Sequence, residues 1–579
     1  MNVPSRFFRW YGALAVGVEA VTTATAPSLP QLQGRHYLIH TMNITWLTIN
    51  SSYSHSSLAL PLVHQAARDV RNCAWTHVSA TIKDDPSEIC IRILRSSPDV
   101  LCAPAYLFNR NELLDVLGRM KALLPSCKVV VGGPECLGQG AFAILRDCSA
   151  IDYVCQGDGE TGMPPLLDAL ANGDGDVQNL PQILSRATRN AKPQASCFDF
   201  PKGVFPCTDE FFECSKPFVQ VETSRGCPNS CIFCTSANTR VRYKPLEDVR
   251  AELKMLHARG MREIRLLDRT FNMPPHRATS LLKMFREEFP DIHFHIEIHP
   301  AFLTDEIRAE LRLARPGQLH LEAGIQTLQR NVLQAIGRCD SPQRSLEGLS
   351  FLCSIPQLAV HADLLSGCPQ QSYESLLEDL HCPIQVGPAE IQMEVLKVLY
   401  GTALHENASR LGIVFSPNPP YDVMRTPTMS LEEIQRSKLL SRMVDVFYNC
   451  NALQRAFRLA DACPGFLAGF LEHIESCGFS TGPAPQLKRR FLWLAEYCKE
   501  NDNVLDELAC SWLKEAFTPG EGPSKGACFV SELPAAASLL EGDATMATRQ
   551  GSHIVRYKER FFVYNRGIAP NHAVAVYRL

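Results

Sequence analysis

The 579-residue chain has no apolar run of the ~18 or more residues that a membrane-crossing helix needs, so no transmembrane span is expected. It also has no Lys/Arg-rich run and no excess of positive charge, with 57 basic residues against 61 acidic ones and a net charge of −4. Nothing in that balance attracts nucleic acid or an anionic membrane surface, which leaves a small molecule, a peptide or another protein as partner. A disulfide framework is missing too. The 23 cysteines are odd in number and scattered singly, as in a chain kept in a reducing compartment, the cytoplasm. A clean signal peptide is absent, because Glu19 interrupts the weak apolar run that follows Arg6 and Arg9. Residues 1–41 are therefore expected to be a disordered extension or a misassigned start.

What is present reads as three folded regions. From residue 42 to 172, the strand-like segments ITWLTIN, THVSATI, DVLCAPA, KVVVGG and DYVCQG alternate with helical spacing. Such alternation predicts a Rossmann-like, doubly wound parallel sheet whose ligand lies beyond the carboxyl ends of the strands. Those ends carry Tyr53 and Ser57, Gly132, Gly133 and Glu135, and Gly157 and Gly159, all candidates for holding a bulky ligand. Residues 173–215, rich in Gly, Asn, Pro and Ser, read as a linker.

Residues 216–405 again alternate strand and helix, with strand candidates at 218–224, 263–268, 294–299, 319–326, 358–367 and 390–399. Several of these alternate polar and apolar residues. His295, Glu297 and His299 interleave with Phe294, Ile296 and Ile298, and His320, Glu322, Gly324 and Gln326 interleave with Leu319, Leu321, Ala323 and Ile325. A parallel sheet with one polar face suits an open barrel with a polar lumen. The second strand fits poorly, since Leu266 and Leu267 break its alternation. The histidines are expected to be hydrogen-bonded lumen residues rather than ligands of one zinc ion. Residues 406–579 read as mostly helical, with a capping box at Ser430 and Glu433 and a terminal hairpin near 553–567.

Directly after the first barrel strand stands SRGCPNSCIFCTSA, with Cys227, Cys231 and Cys234. Structural zinc would need a fourth ligand, usually from a second CxxC pair, and the chain has no such pair. A thioredoxin-like reading uses only Cys231 and Cys234 and leaves Cys227 unexplained. An iron–sulfur cube held by three thiolates accounts for all three cysteines and leaves one iron open to a cosubstrate.

A CxxxCxxC loop with Phe233 before its last cysteine, after the first of six (β/α) strands, resembles the radical S-adenosylmethionine (radical SAM) enzymes. The segments LLDRTFN, FHIEIHP, LEAGIQT, ADLLSGCP and LKVLYGT resemble that family's strand ends, in the subgroup with an N-terminal cobalamin-binding domain. NSSYSHSSLAL, VVVGGPE and QGDGE match that domain, and SPNPPYDVMRTPTMS resembles the start of the helical domain often appended. The resemblance implies an α/β chain with a Rossmann-like cobalamin-binding domain, a partial (β/α)6 TIM-type radical SAM barrel and a mostly helical C-terminal domain. It implies a [4Fe-4S] cluster on Cys227, Cys231 and Cys234, and S-adenosylmethionine (SAM) held by Phe233, Asp268, Arg269, Glu297 and Gln326. It further implies cobalamin on the N-terminal domain, an electron donor such as flavodoxin or ferredoxin, and radical methylation of an unactivated carbon. One departure stands out: the DxHxxG motif that gives a histidine to cobalt is absent, and His55 is the only histidine in the matching loop. Competing readings are a cobalamin-dependent rearrangement, cyclisation or oxidation, an RNA methylthiotransferase, and a non-catalytic iron–sulfur or corrinoid sensor. No side chain is singled out as acid or base.

Overall fold

A computed structural model describes residues 41–172, 177–188, 198–338, 340–542, 552–565 and 575–579. The expectation for residues 1–41 falls, but for Thr41, outside the described residues. The N-terminal sheet comprises β1 (Met42–Asn50), β2 (Cys73–Thr81), β3 (Val100–Pro104), β4 (Lys128–Gly132), β5 (Tyr153–Cys155) and β6 (Ile183–Ser185), in the order 2-1-3-4-5-6. All neighbours are parallel except β5 and β6. Alternate strand residues enter different apolar clusters, Leu101, Val129 and Val131 in one, Val100, Cys102 and Val130 in the other. The sheet is therefore covered on both faces, which is why its strands read as continuous apolar runs.

The segment read as a linker supplies β6, where buried Ile183 and Leu184 extend the sheet. Three residues are too few for a readable period, and the strand's register is fixed instead by Gln156 and Gln182. The Gln156 amide donates to the Gln182 carbonyl (2.9 Å), and the Gln182 side chain donates to the Gln156 carbonyl (3.1 Å).

The second sheet contains β7 (Val219–Val221), β8 (Glu263–Leu266), β9 (His293–Ile298), β10 (Leu319–Gln326), β11 (Ala359–Ser366) and β12 (Glu390–Val395). Its spatial order equals its chain order and every pair is parallel, with no pairing of β12 to β7 among the described residues. This is an open (β/α)6 barrel. Along β10 burial alternates strictly: Leu319, Leu321, Ala323 and Ile325 lie under the surrounding helices, while His320, Glu322, Gly324 and Gln326 face inward. The expected misfit of the second strand is resolved, because β8 ends at Leu266. Within it Ile264 and Leu266 are buried and Glu263 and Arg265 are exposed, and Leu267 already belongs to the loop.

Helices at Leu431–Met443, Asn451–Asp461, Phe466–Ser476, Leu487–Tyr497 and Asp502–Lys514 form the C-terminal region. The first opens with the capping box expected from its sequence, Ser430 and Glu433 each accepting a backbone N–H of the other. The terminal hairpin, Ser552–Tyr557 with Arg560–Asn565, is the centre of a larger five-stranded antiparallel sheet. Tyr421 Oη donates to Glu135 Oε2 (2.8 Å), fastening the N-terminal sheet to the segment that follows the barrel.

Candidate functional site

The cysteine loop is shaped by its own backbone. Gly226 has φ +103°, and a Cβ there would stand 2.4 Å from the Arg240 carbonyl oxygen, so only glycine passes the chain into the loop. The Cys227 amide donates to Thr239 Oγ1 (2.9 Å), and the Thr239 amide donates back to the Cys227 carbonyl (3.0 Å). The far side of the loop is held by Ser230 Oγ donating to the Gly337 carbonyl (2.7 Å) and the Ile232 amide to the Ile336 carbonyl (2.9 Å). The Ser236 amide donates to Cys234 Sγ (3.4 Å).

A cavity of about 210 Å3 lies between these cysteines and the upper ends of β9, β10 and β11. All three cysteines line it, with Phe233, Arg269, Glu297 and Gln326 from the expected SAM set. Among the described residues no three His, Cys, Asp or Glu side chains stand together as ligands of a single ion. The cysteines instead share one cavity wall, as ligands at separate corners of a cube would, so this donor set fits a cluster.

Glu297 lies 3.6 Å from Arg269, and burial pushes its carboxyl above the usual range. Gln326 holds φ +68°, a left-handed conformation rare outside glycine, at the register shift that ends β10. Such local strain gathers where a side chain must be aimed at a ligand. Asp268 is placed differently. It is a buried brace that accepts the Thr223 amide (2.8 Å), Thr223 Oγ1 (2.5 Å) and Ser224 Oγ (2.7 Å), and it is not among the lining residues.

Sequence reading passed over Arg338, Asn229 and Thr270, which also line the cavity. Arg338 Nη2 lies 3.1 Å from Asp340 Oδ2, donates to the Gly324 carbonyl (3.1 Å) and contacts His299 Nε2. Burial pushes Asp340 upward, but the hydrogen bond from His299 and the charge of Arg338 hold it well below the usual carboxylate range. The one local signal was Gly337 before it, a residue with φ +77° whose Cβ would stand 2.3 Å from the Ser230 carbonyl oxygen.

Along the polar face of the barrel the histidines pair with carboxylates: His293 with exposed Glu263 at the strand starts (2.7 Å) and His295 with Glu322 (2.9 Å). His320 sits between His295 and His361, at ring separations of 4.6 and 6.1 Å, and burial beside those imidazoles lowers it to about 4. Glu322 and Asp363 line the same cavity. The hydrogen bond from His295 brings Glu322 down to about 2, while burial and the Glu322 charge push Asp363 up to about 9. A carboxyl raised on folding stabilises below its unfolded pKa, and that contribution fades as pH climbs toward the folded value. Asp363→Asn, which keeps the neutral form, is therefore expected to gain roughly 2–4 °C in Tm over wild type between pH 5 and pH 9. A thermal melt series in which the gap does not change with pH would refute the raised Asp363 carboxyl.

The N-terminal sheet has a cavity of its own, about 170 Å3, beyond the carboxyl ends of β1, β3, β4 and β5. Gly132, Gly133, Gly157 and Gly159 line it as expected. Tyr53, Ser57 and Glu135 do not. Tyr53 is exposed beneath the Lys216 ammonium (4.1 Å), Ser57 supports Tyr106 of the wall, and Glu135 is buried with Tyr421 and Arg110. His55 bonds Ser52 Oγ (2.7 Å), packs edge-on against Phe218 and is not a lining residue. A second cavity of about 290 Å3 shares Leu62 and Glu160 with the first. The glycines of this wall let the backbone come close to a ligand at the strand ends.

Residues 221–381, which span the cysteine loop and most of the barrel, match the model of the Radical SAM superfamily. The chain carries a radical SAM domain. Residues 409–505, after that domain, match a family described as "Protein of unknown function (DUF4080)". An uncharacterized methyltransferase of Pyrococcus horikoshii is 26% identical over 383 residues, 62% of this chain and 81% of the relative. Among solved structures, the cobalamin-dependent S-adenosylmethionine radical enzyme OxsB superposes with a TM-score of 0.55 at 12% identity, covering 82% of this chain and 79% of that one. The radical S-adenosylmethionine methyltransferase TsrM from Kitasatospora setae superposes with a TM-score of 0.52 at 16% identity, covering 65% and 79%. At these identities the likeness is one of fold. The radical SAM domain and the sheet before it share an architecture with both enzymes.

Proposed function

We propose that the protein is a cobalamin-dependent radical SAM methyltransferase acting on an unactivated carbon of a small molecule or peptide, in the cytoplasm. The observation that carries this reading is the pairing of two cavities, one lined by the three cysteines and one by the strand-end glycines, with Arg225 lining the second only two residues before Cys227. Cys227, Cys231 and Cys234 would hold the cluster, Phe233, Arg269, Glu297 and Gln326 the SAM, and the wall of Gly132, Gly133, Gly157 and Gly159 the corrin. Bound there, these groups supply a 5′-deoxyadenosyl radical and a transferable methyl group.

The protein's own part is to position and enclose them. Arg338 sets a fixed positive charge beside the cysteines, Gln326 and Glu297 present polar groups to a cosubstrate, and the helices around the barrel keep water from its apolar face. An electron donor such as flavodoxin or ferredoxin would provide the reducing electron.

The relatives carry the methyl-transfer half of the reading, through the names methyltransferase and TsrM. An RNA methylthiotransferase is less well supported, because the N-terminal thiols Cys102 and Cys155 are buried wall residues held protonated by burial.

Anaerobic reconstitution of the full chain with iron, sulfide and hydroxocobalamin tests the reading. Retained corrin absorption is expected, together with 5′-deoxyadenosine on reduction in the presence of SAM. Absence of 5′-deoxyadenosine would leave a sensor, and absence of retained corrinoid would remove cobalamin. A product heavier by one CH2 marks methylation against rearrangement or oxidation.

A further inference from the structure

The ends of the two sheets are tied by one side chain. Arg225 lies in a two-residue strand, Ser224–Arg225, paired antiparallel with Arg242–Tyr243, and only Gly226 separates it from Cys227. Its guanidinium turns away from the barrel and lines the glycine-edged cavity of the N-terminal sheet. There it meets three carboxylates: Glu222 at 2.6 Å, Glu160 at 2.9 Å and Asp158 at 3.3 Å. Two of them, Asp158 and Glu160, stand with Gly157 and Gly159 at the start of the helix Gly159–Asn172, on the same cavity wall. Asp158 is fixed further by Arg242 Nη1 (2.7 Å) and by the Phe198 amide (2.7 Å), and the Phe198 and Phe200 rings stand within 5.8 Å of the Arg225 guanidinium.

We infer that Arg225 is a positioning residue that couples the occupancy of the N-terminal cavity to the geometry of the cluster loop. A ligand that presses on Gly157 and Gly159 moves the carboxylates that hold the guanidinium. Gly226 is packed against the Arg240 backbone beside the strand pair, so a shift of the Arg225 backbone passes to Cys227 across one residue. Charge strengthens the link. Three carboxylates face two guanidiniums, so the cluster of charges is net negative, and loss of Arg225 leaves buried acids that repel one another beside the cavity. A planar fork is required, since one guanidinium answers three separate carboxylates.

The corrinoid arm of this inference rests on the cobalamin reading, so the test separates the two. Wild type, Arg225→Met and Arg225→Lys are each reconstituted with iron and sulfide as full-length protein, and far-ultraviolet circular dichroism and iron content show that each is folded and loaded. The electron paramagnetic resonance spectrum of the reduced cluster is then recorded with and without hydroxocobalamin, and corrin absorption gives the affinity. In wild type, hydroxocobalamin is expected to shift the cluster signal. In Arg225→Met that shift is expected to vanish and corrinoid affinity to fall about 10-fold or more, and Arg225→Lys should restore part of each. A variant that loses affinity yet keeps the full shift would overturn the coupling, as would a wild type that binds corrinoid with no shift. A wild type that binds no corrinoid would remove the cobalamin reading alone. The coupling is then judged from the unliganded spectra, where Arg225→Met is expected to differ from wild type and an identical signal would overturn it.

Discussion

Cys234→Ala is expected to abolish 5′-deoxyadenosine formation, a fall of about three orders of magnitude or more, with the fold intact. A cube held by three thiolates loses a corner ligand when any one is removed, and residues that act as a unit fail together rather than additively. Cys227→Ala and Cys231→Ala should therefore each do as much damage as all three combined. Stability should barely change, because Cys231 and Cys234 are only partly buried and the loop keeps its hydrogen bonds from Thr239, Ser230 and Ile232. Iron content, 5′-deoxyadenosine yield and a thermal melt measured on one preparation check this. Retention of wild-type yield by any single variant would refute the three-thiolate assignment.

The largest effect on stability is expected at Asp268. Its carboxylate is buried at 3% exposure and accepts three hydrogen bonds from Thr223 and Ser224. Burial pushes its pKa upward, and the hydrogen bonds pull the other way. Asp268→Ala would leave an amide and two hydroxyls unsatisfied, at about 1–3 kcal/mol each before relaxation. A net loss of about 3 kcal/mol is expected from urea unfolding, with reduced iron uptake, because the segment released leads directly into the cysteine loop. Asp268→Asn keeps an acceptor oxygen and should lose about half as much. If the alanine variant were as stable as wild type, Asp268 would have to face ligand rather than brace the backbone.

These two residues also mark where the sequence was legible. The cysteines could be read because spacing along a short loop survives folding unchanged. The barrel strands could be read because a period of two registers the burial of alternate residues, as in β10. Asp268 was legible as a strand-end residue, yet no pattern says whether a carboxylate at that point turns outward to ligand or inward to Thr223. Arg338 was not legible, since it reaches the cavity from a loop after a six-residue helix, with nothing periodic on either side. Glu135 shows the same limit: its partner Tyr421 lies 286 residues away, and a single pair so remote leaves no local trace. The strand β6 was hidden by its length, because three residues among prolines and serines carry no period.

The hydrogen bond from Ser230 to Gly337 has a consequence for manufacture. Its two ends are 107 residues apart, so the cysteine loop emerges from the ribosome long before the residues that close its far side. The N-terminal sheet is complete by then, and Asp158 and Glu160 are already available to Arg225. Translation thus delivers the seat half-built and finishes it only once Arg338 has been added.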